Sequence, residues 1–165
     1  MPLFVHIAAR KDSRSIRRAG LKARAISREI PSGVYAMPVV PNFVVSHQWV
    51  RELKRGGQRR MCGVYLRVPD DDQVWIGRYH QPHQRLSAAE AAALLMGLDD
   101  AQGYQVIIPH AIEAGAIVKI RNVPHIGWRY YPSAHGHRPC GCPACLRRGE
   151  IKSRRIRRDY EAGFD

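Results

Sequence analysis

Residues 3–37, LFVHIAARKDSRSIRRAGLKARAISREIPSGVYAM, are the stretch that decides the fold. The run LFVHI at its start consists of strand formers around one imidazole and is too short for a helix. A polar side chain at Asp12 or Ser13 can cap a short helix, and Gly20 ends it. The run GVYAM at its end is a second strand. The stretch therefore predicts a strand, a short helix, a basic linker and a second strand.

Length and charge restrict the class of protein. The chain has 165 residues, enough for one domain with a single core, and carries 27 Lys and Arg against 14 Asp and Glu, a net charge of +13. Such an excess indicates a polyanionic partner, with nucleic acid as the first candidate and a solvated charged surface as the alternative. No apolar run approaches the roughly 20 residues that span a bilayer, and no secretory signal pattern is present. We expect a cytoplasmic protein with no membrane partner.

Later segments predict more strands than helices. Asn42 can cap a helix to about Arg55, whose apolar stripe includes Trp49 and Val50, with His47 on another, surface-exposed face. Residues 61–68 and 74–77 read as a hairpin, and residues 104–108 and 116–120 as two further strands. SAAE at residues 87–90 is a capping box that begins a helix of about ten residues. Because the helices do not alternate with every strand, the predicted class is α+β.

The opening stretch resembles a known family. A strand with His6, a helix with the pattern Ser-x-x-Ile-x-x-x-Gly-Leu and a strand with Gly-Val-Tyr are similar to the start of the NAD-dependent ADP-ribosyltransferase superfamily, which includes toxin-like enzymes and tRNA 2'-phosphotransferases. The resemblance runs from about Leu3 to Ile120. It implies an ADP-ribosyltransferase-like core with a split β-sheet in residues 1–125. A Cys- and Arg-rich extension in residues 126–165 would pack on the same domain.

The resemblance also implies which residues act. His6 would bind the NAD ribose and Tyr35 would stack near the nicotinamide, both in one shared pocket. A neutral imidazole can donate and accept hydrogen bonds, and a phenol offers a flat face with a polar tip. Taken alone, a histidine in an apolar strand is more often a core residue. Ile7 and Arg17 complete the predicted cofactor-binding set.

The family's later strand often begins with an acidic residue, and here Gln105 stands in that place. Departure of nicotinamide leaves a ribosyl cation that a negative group would stabilise. Three explanations stay open. In the first, Gln105 suffices as the third catalytic residue because the target supplies the nucleophile. In the second, Glu113 or Glu150 supplies the charge, and in the third the fold serves binding without transfer.

A second cluster of chemically active residues lies near the C-terminus. Thiolates and imidazoles separated by Gly and Pro turns can converge on a tetrahedral ion, so we expect structural Zn²⁺. The fourth ligand is one of His137, His135 and Cys62. The alternative to a metal site is a turn-rich loop with free thiols. The predicted metal ligands are His137, Cys140, Cys142 and Cys145.

A basic run follows this cluster. Arginines can bind phosphates, and the aromatic residues upstream can stack on bases. The alternatives are contact with the NAD pyrophosphate and a solvated helix. The predicted nucleic-acid contacts are Arg147, Arg148, Lys152, Arg154 and Arg155.

Together these observations predict an ADP-ribosyltransferase that cleaves NAD and modifies RNA or DNA. The resemblance adds a toxin or defence role, with a cognate antitoxin as a further partner. The alternatives are a non-catalytic, zinc-containing nucleic-acid-binding module and an NAD-dependent RNA 2'-phosphotransferase.

Overall fold

The structure is a computed structural model that describes residues 1–25, 32–50, 53, 60–79 and 81–123. It confirms the α+β class. Within these ranges no helix is long and apolar enough to cross a membrane.

Seven strands of the described residues form one sheet, in which every paired neighbour is antiparallel. Their order across the sheet is β5-β4-β6-β2-β1-β3-β7. Their bounds are β1 Leu3–Ala9, β2 Val34–Pro38, β3 Met61–Arg67, β4 Gln73–Arg78, β5 Gln84–Ser87, β6 Tyr104–Ile108 and β7 Ile117–Asn122.

Three α-helices have described bounds, α1 Ser13–Ala19, α2 Phe43–Ser46 and α3 Ala88–Gly97, and Trp49, Val50 and Leu53 are helical as well. Short 3-10 turns span Arg10–Asp12, directly before α1, and Ala114–Ala116, directly before β7. The capping box of α3 forms as predicted. The Ser87 hydroxyl accepts from the Glu90 N–H at 3.2 Å, and the Glu90 carboxylate accepts from the Ser87 N–H at 2.9 Å. These bonds satisfy two donors that a helix start leaves free.

The sheet is split between its two central strands. β1 pairs with β3 along its whole length, from Leu3 to Ala9. It pairs with β2 at only two positions, Phe4 with Pro38 and Val5 with Met37. From His6 onward, β1 therefore belongs to a half-sheet with β3 and β7, while β2 belongs to a half-sheet with β6, β4 and β5.

The core is built on these strands. Phe4, Leu66, Ile76, Ile107 and Ile108 are fully buried. Ile16 of α1 and Leu95 of α3 join the same apolar cluster. Burial of side chains of this size contributes about 1.5–3 kcal/mol each, so the half-sheets are held by packing as well as by their short seam.

Gly20 fixes the end of α1. Its φ of 75° is a conformation that residues with a Cβ rarely adopt, and a Cβ here would overlap the Ile112 carbonyl oxygen. The next residue, Leu21, forms a two-way backbone bridge with Ile112. The close approach that glycine permits therefore ties the end of α1 to the segment before β7.

The helix predicted from Asn42 to about Arg55 is not continuous in the structure. The Gln48 side chain donates to the Val45 carbonyl at 3.1 Å, which a continued helix would need for the Trp49 N–H. α2 therefore ends at Ser46, residues 47–48 form a turn, and helical conformation resumes at Trp49 and Val50. Of the predicted stripe, Val50 is buried, whereas 37% of Leu53 is exposed.

Two smaller predictions also needed correction. Neither Asp12 nor Ser13 caps α1 with its side chain, because the 3-10 turn at Arg10–Asp12 runs straight into the helix. His47 is buried rather than on the surface, and its Nε2 lies 3.1 Å from the Tyr65 hydroxyl. Strand β5 was not predicted, since QRLS lacks a run of strand formers.

Candidate functional site

His6 lies where the two half-sheets separate. It is the first residue of β1 beyond the seam, and its Nδ1 lies 2.6 Å from the Tyr35 carbonyl oxygen. A carbonyl only accepts, so Nδ1 carries the proton and donates. The imidazole thus bridges the split, because it donates a hydrogen bond to a β2 carbonyl that lies beyond the backbone pairing with β1.

This hydrogen bond determines what the other ring nitrogen can do. Burial lowers the pKa of His6; the bond to the Tyr35 carbonyl opposes this, and the positive charge of Arg24 adds to it. A neutral ring with its proton on Nδ1 leaves the lone pair of Nε2 free to accept. Nε2 has no hydrogen-bond partner among the described residues. A ligand hydroxyl that enters the split would find an acceptor there.

The phenol of Tyr35 does not share a pocket with this imidazole. Side chains alternate along a strand, so the Val5–Met37 pair places Tyr35 on the face of Val5 and His6 on the opposite face. The expectation of one pocket containing both rings is corrected accordingly. The two residues meet at the Tyr35 backbone, because the split opens between strand edges and not within one face.

Tyr35 instead shares a face with Gln105. Tyr35 pairs with Ile107, and Gln105 lies two residues from Ile107 on β6. The Tyr35 hydroxyl is buried with no hydrogen-bond partner among the described residues. Burial, with a smaller effect from Tyr79, raises the pKa of Tyr35, so the phenol keeps its proton. A buried hydroxyl without a partner is a donor that a ligand can satisfy.

Gln105 has a partner that sequence reasoning missed. Its Nε2 lies 3.0 Å from Nε2 of His83, and only 4% of Gln105 is exposed. Gly77, opposite Gln105 on β4, makes room for this contact, since a Cβ there would come within 3.0 Å of the His83 ring. An amide N–H donates to an unprotonated ring nitrogen, so the amide is held in one orientation. The sequence signal for His83 was weak, because it depends on a glycine in another strand.

The other predicted cofactor residues are Ile7, which follows His6 on β1, and Arg17. Ile7 packs against the buried pair Val50 and Met61. Arg17 lies on α1, on the far side of β1 from β2. Glu113, one proposed source of negative charge, is an exposed residue before the 3-10 turn, and Glu150 lies outside the described residues.

Arg17 belongs to a basic cavity between α1 and the half-sheet of β3 and β7. The cavity has a volume of about 250 Å³. We call it the arginine pocket. Its polar lining consists of Arg10, Ser13, Arg14, Arg17, Arg121 and Asn122, and Cys62 and Ile120 complete it.

The predicted zinc site and C-terminal basic run lie outside the described residues. This holds for His135, His137, Cys140, Cys142 and Cys145, and for Arg147, Arg148, Lys152, Arg154 and Arg155. Cys62, one option for the fourth ligand, is buried in β3, and burial raises the pKa of its thiol. Within the described part, no three His, Cys, Asp or Glu side chains group as metal ligands.

Comparison of the chain with protein-family models, with curated proteins and with solved structures found no match. The features that bear on function are therefore the split, the polar face of Tyr35 and Gln105, and the arginine pocket.

Proposed function

We propose that the protein is an NAD-dependent ADP-ribosyltransferase that modifies a nucleic acid. The observation that carries the proposal is the imidazole of His6, which bridges the split through Nδ1 and leaves Nε2 as an acceptor. The split sheet and the position of His6 at the opening of the split support the resemblance drawn from the sequence.

In the proposed reaction, the bond between C1' of the ribose and the nicotinamide nitrogen breaks, and nicotinamide takes the bonding electrons. Nε2 of His6 accepts a hydrogen bond from a ribose hydroxyl and fixes the sugar. A nucleophile of the nucleic acid then bonds to C1' and releases its proton to water. The neutral amide of Gln105, oriented by His83, can bind a hydroxyl but supplies no charge, so the target must provide a strong nucleophile.

The Tyr35 hydroxyl supports a second contact. Because it lies on the other face from His6, a ligand reaches both only by extending through the split. NAD has two halves joined by a flexible pyrophosphate, which suits an extended pose. We also propose structural Zn²⁺ at the C-terminal cluster and a cytoplasmic location, where thiols stay reduced.

The test is nicotinamide release from NAD, measured with and without RNA or DNA. We expect release that a nucleic acid stimulates, with label from adenine-labelled NAD passing to it. His6→Gln should reduce both about 10²–10³-fold. The matched control is His110→Gln, since His110 is an exposed histidine bound to Asp72. Intact NAD under all these conditions would contradict the proposal.

A second function is favoured by two observations, namely the opposite-face placement of Tyr35 and His6 and the presence of the arginine pocket. It is a nucleic-acid-binding module without transfer. Salt-sensitive binding with NAD left intact would support this module against the transferase.

A further inference from the structure

The arginine pocket concentrates positive charge in one concave space. Arg10, Arg14 and Arg17 come from the first helical segment, and Arg121 comes from β7. β7 is an edge strand, where isolated basic residues commonly prevent pairing with another chain. That explanation accounts for Arg121 alone and does not account for three more arginines around the same cavity.

The spacing of these arginines is unfavourable without an anion. Arg10, Arg14 and Arg17 follow one another at four and three residues, so their side chains share one face of the helical segment. Like charges at this spacing destabilise a helix by about 0.2–0.5 kcal/mol per pair. The ion pairs of the described residues include none of the four arginines. Asp12 is the acidic group nearby, since its charge acts on Cys62, but it does not line the pocket.

The size of the cavity limits what it can hold. At about 250 Å³ it is smaller than the pockets of about 300–1,000 Å³ that enclose whole small molecules. A phosphate group with its bound water fits this space, and a guanidinium binds phosphate oxygens with two parallel hydrogen bonds. Ser13 and Asn122 add neutral donors at the same lining.

The pocket is also separate from the split. The split lies between β1 and β2, whereas β3 and β7 lie on the other side of β1. None of His6, Tyr35 and Gln105 lines the pocket. A ligand bound here leaves the split open for a second molecule.

We infer that the arginine pocket binds a backbone phosphate of the nucleic acid on which the protein acts. The assignment of that nucleic acid as an acceptor rests on the proposed function. The phosphate site itself rests on the four arginines and their cavity. The pyrophosphate of NAD is the other source of the same chemistry, and the experiment separates the two.

The experiment measures binding of a short fluorescent single-stranded RNA by anisotropy, using the full chain at several salt concentrations and no NAD. The double variant Arg14→Gln/Arg17→Gln removes two charges from the pocket. The matched control, Arg67→Gln/Arg85→Gln, removes two charges from exposed strand positions elsewhere. Each lost phosphate contact lowers the log–log salt slope by about 0.7, so the pocket variant should lose about 1.4. The control should lose less than half of that.

Two results would overturn the inference. Equal loss in the two variants would mean that diffuse charge attracts the RNA. The other result is that ADP-ribose displaces the RNA from the wild type but not from the pocket variant. It would mean that the pocket binds the pyrophosphate of NAD. His6→Gln should bind RNA as the wild type does, so failure of nicotinamide release and failure of phosphate binding can be told apart.

Discussion

The two sides of strand β1 differ in how they are equipped for a ligand. On the β2 side, a neutral imidazole is fixed at 2.6 Å from a backbone carbonyl, with its second nitrogen available. On the β3 and β7 side, four exposed arginines surround a cavity without a carboxylate in its lining. One side orients a ligand through a single hydrogen bond, and the other attracts charge from a distance.

This difference suits the β2 side to the reaction and the β3 and β7 side to binding of the nucleic acid. An oriented hydrogen bond in a partly buried site acts on the geometry of a reacting group, and its loss reduces rate. A cluster of exposed cations acts on association, and its loss reduces affinity in a salt-dependent way. Variants on the two sides of β1 should therefore produce different kinds of defect.

The largest effect is expected at His6. His6→Gln replaces the ring that the Tyr35 carbonyl orients by a flexible amide, so the fixed acceptor at Nε2 is lost. Loss of one preorganised contact typically reduces rate about 10²–10³-fold, and we expect nicotinamide release to fall by that factor. RNA affinity should stay within twofold of the wild type, which corresponds to a change in binding free energy of at most about RT ln 2. If affinity falls and turnover does not, the division between the two sides is wrong.

Gly20→Ala tests the link between α1 and the β7 side. The combination of φ 75° and ψ −162° is nearly restricted to glycine, and the new Cβ would overlap the Ile112 carbonyl oxygen. We expect a loss of about 2–4 kcal/mol in the free energy of unfolding, measured by urea denaturation. Gly103→Ala is the control, because its φ is 77° but no atom lies within 4 Å of the new Cβ. It should cost about 1–2 kcal/mol. Equal losses would show that the overlap is relieved and that only the backbone conformation matters.

Gln105→Ala addresses the polar face of β2 and β6. The loss of an oriented amide that binds a substrate hydroxyl should reduce nicotinamide release about tenfold, equivalent to about 1.4 kcal/mol. The double variant with His83→Ala should be no worse than Gln105→Ala, because His83 acts only by orienting the amide. An additive loss in the double variant would give His83 a role of its own.

The smallest effect is a pH dependence of stability with opposite signs at two histidines. The pKa of His6 is below 6.5 in the folded protein, so the unfolded chain binds the proton more readily. The stability that neutral His6 contributes is present above pH 6.5 and is lost as pH falls from 6.5 through the lower pKa of the folded protein. The pKa of His110 is raised, first by its bond to the Ala111 carbonyl and then by Asp72. Its contribution is present below pH 6.5 and is lost as pH rises through the folded pKa.

Urea denaturation of the wild type, His6→Gln and His110→Gln from about pH 5 to pH 8 measures both contributions. The stability difference between the wild type and His6→Gln should grow with pH, and the difference for His110→Gln should shrink. A difference for His6→Gln that shrinks with pH would mean that the ring is protonated in the folded protein.

The strands and α3 were predictable because their signals are local. LFVHI and YQVII are runs of strand formers, and the capping box marks the start of α3 within four residues. The break after α2 was not predictable, since it depends on the Gln48 side chain, which also donates to the Ala101 carbonyl at 3.0 Å. Local patterns specify elements, but contacts between distant residues decide where those elements end.

The candidate site shows the same division. His6 and Tyr35 were found through their motif, but the length of the seam between their strands, and hence the faces of their rings, follows from pairing alone. His83 reaches Gln105 only because Gly77 leaves space. In the arginine pocket, the spacing in α1 was visible in the sequence, whereas Arg121 comes from a strand that begins about a hundred residues later.

The most direct test is nitrogen NMR of the His6 ring in uniformly ¹⁵N-labelled protein at neutral pH, with His6→Gln to assign the signals. The proposed role of His6 requires a ring protonated at Nδ1, with an unprotonated Nε2 whose resonance shifts when NAD is added. A proton on Nε2, or a resonance that NAD leaves unchanged, would contradict it.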